Sequence, residues 1–327
     1  MIYDVFQKII MQKVQSKLGE DYLLSILKIP KNNGMVLSGL CVRKKGDSIS
    51  PTVYLESYYQ RFQEGESTDT LAADIVRLCT ECRGSCPITP DLLDDFSRLR
   101  DRVAMRLIHT RSNEVLLQDT PSIPWLDLSI VFYLLLDRTP SGTMTVLIRS
   151  QHMELWHTDT EELHRLAAAN TPRLLPPRLE SMTQVLKDCG ASLGFLAPEN
   201  SFLKEEAGDS GSSQPSPASE PHDPTPLYVL TNSSGVDGAC AMLYPDVLKN
   251  FAAYLKKDLI ILPSSVHEVL LVPDQSCLSA NQLTNMILQA NEEVVSVQER
   301  LSDHAYRYCR QTDTVVCLPS CSCKSLS

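Results

Sequence analysis

The chain has 327 residues, 43% of them apolar and 21% charged, and a formal net charge of −10. These proportions are those of folded globular proteins, and at roughly 150 residues per domain the length suggests two compact units. The acidic balance argues against nucleic acid, because Lys and Arg drive that binding by displacing counterions from phosphates; the densest basic stretch, Arg98 to Arg106, is interrupted by Asp101 and reads as a solvated helix face.

In chain order, Ile2, Val5, Phe6, Ile9, Val14 and Leu18 recur at helical spacing and predict an opening amphipathic helix. Asp4, Gln7 and Lys8 interrupt what a secretory leader would need as an unbroken apolar stretch, so no export is expected. Two strands follow, Tyr22 to Ile29 and Met35 to Arg43, joined through Asn33-Gly34, a pair suited to turn positions with positive φ. Pro51 to Leu55 reads as a strand, and Thr70 to Cys79 as a helix with Leu71, Ile75 and Leu78 on one face. Alternating apolar residues from Leu126 to Leu136 turn through Thr139-Pro-Ser-Gly142 into Met144, Val146 and Ile148, a second hairpin. That apolar run is far shorter than the roughly 18 residues of a membrane-spanning helix, so no membrane partner is expected.

Thr158 with Glu161, and Ser181 with Gln184, have capping-box spacing and should start helices, the second ending near Gly190. Residues 205–226 hold five prolines, five acids and only two apolar residues, Ala207 and Ala218, a composition expected of a disordered linker. Beyond it, Leu227 to Leu230 and Gly238 to Leu243 read as strands, Pro245 as the first position of a helix, and Leu259 to Leu262 with Val266 to Val272 as a strand pair. Ser279 with Gln282 caps a last helix. Hairpins alternating with helices predict an α+β fold of mainly antiparallel sheet in two lobes, with an N-terminal region 1–204, the linker 205–226, a C-terminal region 227–312 and a tail 313–327.

Two constellations carry chemistry. Cys79 and Cys82, with Cys86 close by, have a spacing that could grip zinc, whereas a second group, Cys317, Cys321 and Cys323, lacks the usual pair spacing; Cys79 and Cys82 also continue the apolar stripe of Leu71, Ile75 and Leu78, which favours small core residues. Eleven cysteines without an export signal are expected as thiols in the cytoplasm. Near the other end, Leu262-Pro-Ser-Ser-Val-His-Glu-Val269 brings Ser265 and His267 close together, with Asp303 and His304 elsewhere and Cys240 as a second nucleophile. A hydrolase would need such a nucleophile beside an imidazole and an orienting acid; a turn whose serines bond the backbone accounts for the same residues. Phosphate loops, dinucleotide fingerprints and nucleophile elbows are missing from the sequence, and no cofactor is expected beyond the zinc alternative.

The strings Ser50-Pro-Thr-Val-Tyr-Leu55, Leu126 to Tyr133, Asn170 to Pro176, Met242-Leu-Tyr-Pro245, Leu262 to Val269 and Leu301-Ser-Asp-His-Ala-Tyr306 together resemble an uncharacterised bacterial family of gut anaerobes, DUF5688. The resemblance leaves out the acidic linker and the chain after Thr312. It implies an intracellular bacterial protein and supplies no catalytic residue. With no converging set of titratable groups, the expected function is a non-catalytic interaction or regulatory protein with a protein partner.

Overall fold

A computed structural model describes residues 2–46, 52–84, 93–139, 142–188, 226–263, 265–274 and 279–318. All strand pairs are antiparallel and helices pack on the sheets, an α+β fold as expected. The chain divides into two compact units, Met1–Pro176 with Gln289–Ser302, and Pro177–Leu288 with Asp303–Ser327. The linker expected at 205–226 lies outside the described residues apart from Pro226, and Pro177–Ser181, the first described segment of the second unit, forms a strand on that unit's sheet.

The first unit opens with helix α1, Tyr3–Leu18, whose Phe6, Ile10 and Val14 are fully buried one turn apart. Ile2 and Val5, expected on the buried face, are instead exposed. Strands β1, Tyr22–Pro30, and β2, Val36–Lys44, form the expected hairpin, with Asn33 at φ 57 and Gly34 at φ 70. Strand β3, Thr52–Tyr54, pairs with the middle of β2. Helices α2, Leu55–Gln63, and α3, Thr68–Gly84, join α1 over one face of this three-stranded sheet, where Leu40, Val42, Val53, Leu71 and Ile75 share a core with Leu24 and Ile26 of β1.

The first unit's second sheet is organised by β6, Leu128–Thr139, paired along one edge with β4, Val103–His109, and along the other with β5, Ser122–Trp125, and then β7, Gly142–Leu147. Residues Ile130 to Leu136 are all buried, so β6 is covered on both faces despite its alternating beginning. Helix α4, Ser150–Trp156, follows, and α5, Thr160–Leu174, packs on β4, where Asn170 Nδ2 donates to the carbonyls of Arg100 and Val103. The cap of α5 is Asp159, accepting from Glu162 N–H at 2.8 Å, one residue beyond the Thr158 expected from spacing.

Asn33 ties this unit to its late segment. Its backbone N–H donates to Asn113 Oδ1 at 2.8 Å, Asn113 Nδ2 returns a bond to Asn33 Oδ1 at 2.9 Å, and Asn33 Nδ2 donates to the carbonyls of Val297 and Arg300, each at 2.7 Å.

The second unit is built on one six-stranded sheet. Strand β8, Pro177–Ser181, leads through the Ser181-capped helix α6, Met182–Asp188; β9 is Tyr228–Asn232, β10 Leu259–Leu262, β11 Val269–Pro273, β12 Tyr306–Cys309 and β13 Thr314–Cys317. The spatial order is β13-β12-β10-β11-β9-β8. Helix α7, Val247–Leu255, carries Leu248 and Phe251 inward; α8, Ala280–Glu293, starts with a reciprocal box between Ser279 and Gln282 and buries Leu283 and Ile287 against Ile260, Leu262 and Ala305.

Three expectations change here. Gly238–Leu243 is a 3-10 helix, not a strand: it is a short buried run of small residues with no period of its own, and a neighbouring turn claims its backbone. Pro245 lies two residues before α7, whose N-cap is Asp246 at φ 60. Strand β11 starts at Val269 rather than Val266, because the preceding residues are held in a turn.

Candidate functional site

Antiparallel pairing gathers one candidate set at a single end of the second unit's sheet. Tyr306 lies opposite Ile261, and Val269 opposite Leu230, so the ends of β9 and β10 and the starts of β11 and β12 fall together. Ser265, His267, Cys240, Asp303 and His304 all belong to segments leaving that end.

The hydrogen bonds there describe a turn. Ser265 Oγ donates to Glu268 Oε1 at 3.0 Å and accepts from the His267 backbone N–H at 3.0 Å, so its one proton is directed at a carboxylate. His267 Nδ1 accepts from Asp237 N–H at 3.2 Å, which places the proton of the neutral ring on Nε2. The His267 carbonyl accepts from Thr231 Oγ1 at 2.7 Å, and that of Val266 accepts from Ala239 N–H at 3.1 Å. These bonds lace residues 265–268 to the 3-10 segment, and Gly238 fills the space between them. Cys240 is fully buried beside Tyr244, and burial pushes its thiol up to about 12, so the thiolate a nucleophile requires is disfavoured at neutral pH. Asp303 is exposed and His304 half-buried just before β12.

Of the zinc candidates, Cys79 is 1% exposed in the core with Leu71 and Ile75. The side chain of Cys82, and all of Cys86, Cys321 and Cys323, lie outside the described residues; Cys317 is exposed on β13.

The feature that sequence reasoning passed over is in the first unit. Even-numbered residues of β1 and β2 meet the helices, while Leu23, Ser25, Leu27 and Ile29 of β1, with Leu37, Gly39 and Cys41 of β2 and Thr52 and Tyr54 of β3, share the opposite face. Leu23 is 46% exposed and Leu27 is 52% exposed. No Asp or Glu sits on this face within the three strands; Arg43 stands at one end, and Lys31 Nζ lies 4.1 Å from the centre of the Tyr54 ring. Among the described residues no strand pairs with the outer edge of β1. The signal was present: Tyr22-Leu-Leu-Ser-Ile-Leu-Lys-Ile29 is apolar at both parities, a pattern of strands covered on both faces, yet among the described residues helices α1, α2 and α3 cover the even-numbered face.

A polar clamp holds this sheet to its helices. Ser38 Oγ accepts from Gln7 Nε2 at 2.8 Å and Lys28 Nζ at 2.9 Å, while Glu56 Oε1 accepts from Ser38 N–H at 2.7 Å and Tyr3 Oη at 2.8 Å. Burial is the main cause raising the Tyr3 hydroxyl above its ordinary value. A Lys beside a Ser hydroxyl is a known nucleophile arrangement, but Ser38 is 1% exposed and closed to substrate. The clamp fixes β1 and β2 and so keeps the open face rigid.

A family model matches residues 3–310, that of a family of unknown function, DUF5688. The chain belongs to this family. No curated protein and no solved structure matches. The DUF5688 match includes both the open sheet and the Ser265 turn, and the family's description assigns a role to neither, so the chemistry of the residues carries the argument. Among the described residues no helix is long and apolar enough to cross a membrane.

Proposed function

We propose that this DUF5688 member is a non-catalytic, cytoplasmic protein-binding protein that engages its partner through the open face and edge of the β1–β2–β3 sheet. The observation that carries this reading is the apolar face around Leu23 and Leu27, rigidly backed by a packed core and bordered by an edge of β1 that no strand pairs among the described residues. Exposed apolar patches of this kind mark interaction surfaces, and an open edge supplies backbone donors and acceptors to an added strand. The net charge of −10 favours a protein over a nucleic acid as partner. Cys41, Cys240 and Cys309 are thiols, as a reducing compartment would keep them.

The test is site-specific photo-crosslinking in cells. A photoreactive side chain at Leu27 is expected to capture protein in defined adducts, whereas one at Tyr254, which is 79% exposed on α7, captures little. Equal, diffuse labelling at both positions would refute the reading.

A further inference from the structure

Helix α4 starts on an imidazole that serves only while it is uncharged. His152 lies three residues after Arg149, the residue preceding the helix, and its Nδ1 accepts from the Arg149 backbone N–H at 2.9 Å, the place that Glu or Gln takes in a capping box. An accepting Nδ1 leaves the proton of the neutral ring on Nε2. The same ring is stacked on Trp156, with centroids 5.2 Å apart and planes at 16°. Trp156 is stacked in turn on Phe96 at 5.0 Å and 10°, and its Nε1 donates to the Leu93 carbonyl at 2.8 Å. One half-buried histidine therefore ties the start of α4 to its end and, through Trp156, to residues 93–96.

We infer that His152 is a proton-operated latch: uncharged, it closes the first turn of α4 against Trp156, and charged, it lets that turn open while β4 and β6 stay folded. A proton added at Nδ1 turns the acceptor into a donor and sets two N–H groups face to face. No rotation of the ring restores the bond, because an imidazolium donates at both nitrogens and accepts at neither. Burial is the main influence holding the ring neutral, and the Arg149 charge adds to it; Asp119, from the segment before β5, pulls the other way. That carboxylate is shared with Arg149, whose Nη1 lies 3.4 Å from Asp119 Oδ2, which offsets part of its attraction for a charged imidazole. The acids of the other neighbouring segments are engaged elsewhere: Asp95, beside Phe96, and Asp159, at the start of α5, each accept a backbone N–H, and Glu162 pairs with Arg100.

The latch is independent of the binding role proposed for the β1–β2–β3 sheet, so either can fail alone. The test is hydrogen exchange of the full chain, read by mass spectrometry from pH 7.5 down to 4.5, with each rate divided by the intrinsic rate at that pH. Protection of residues 150–156 is expected to fall by about tenfold per pH unit below about pH 6.5, the ordinary histidine value, until the folded ring is itself protonated, while β4 and β6 keep theirs. His152→Gln, whose amide oxygen can accept the Arg149 N–H at any of these pH values, should keep α4 protected throughout. His152→Lys, a permanent charge without an acceptor, should leave it open at pH 7.5. Protection of α4 that is indifferent to pH in the native chain, an equal loss in His152→Gln, native protection in His152→Lys, or a simultaneous loss through β4 and β6 overturns the inference.

Discussion

Replacing Gly238 by Ala tests whether the Ser265 turn is a structural lock. A Cβ at this position would lie 2.1 Å from Thr231 Oγ1, 2.4 Å from the His267 carbonyl oxygen and 2.8 Å from Asn232 N. Two of these are backbone atoms, at the end of β9 and in the turn before β11, so rotating a side chain cannot relieve the clash. The 3-10 segment must move away, which strains or breaks Thr231 to His267 at 2.7 Å, Asp237 to His267 at 3.2 Å and Ala239 to Val266 at 3.1 Å. Overpacking costs about 1–3 kcal/mol, and losing two such bonds adds about 1 kcal/mol each. The expected penalty is therefore about 3–5 kcal/mol, a large part of a typical domain's stability. Hydrogen exchange read by mass spectrometry, with urea denaturation, is the assay: amides of β9, β10 and β11 should lose protection while the core of α1 and β2 keeps it. Gly235→Ala is the comparison, since Gly235 has φ 68 and open space around its Cβ, so only backbone strain of about 1 kcal/mol is expected. If Gly238→Ala were no more costly than Gly235→Ala, the packing argument would be wrong.

Asn113→Ala removes both reciprocal bonds to Asn33 from a residue 2% exposed; a loss of about 2–4 kcal/mol is expected, with faster proteolysis near residues 297–300, and unchanged denaturation would contradict the stitching role. Thiol labelling of the native chain should modify exposed Cys317 well before Cys79 and Cys240, and rapid alkylation of Cys240 would contradict its burial. Elemental analysis of reduced protein should find no stoichiometric zinc, given the place of Cys79 in the α3 core; about one zinc per chain, lost with Cys82→Ser, would establish a metal site instead. Burial holds the His152 imidazole below its ordinary pKa, with the Arg149 charge as a lesser cause, while Nδ1 accepts from Arg149 N–H at 2.9 Å. The unfolded chain then takes up this proton first, so the stabilisation is complete above about pH 6.5 and declines as pH falls toward the lower folded value. Urea midpoints at pH 7.5 and 5.5 should show a smaller drop for His152→Gln than for the native chain.

What the sequence determined by itself is local. The β1–β2 and β6–β7 hairpins follow from alternation and turn residues, and the starts of α6 and α8 from Ser181 and Ser279, because each depends on groups within a few residues of one another. Small errors arose where neighbours competed: Asp159 took the cap that Thr158 also fitted, and Ser265 converted the expected beginning of β11 into a turn. Tertiary structure alone decided the rest. Phe6, Ile10 and Val14 became the buried stripe of α1 because α3 and the sheet occupy that side, leaving Ile2 and Val5 outside. Residues 289–302 return to the first unit through carbonyls that accept from Asn33, and a carbonyl leaves no mark in composition. The open face of β1 has the same physical origin: an apolar residue reports only that burial is favourable, whereas the presence of a covering layer depends on where the remaining chain packs.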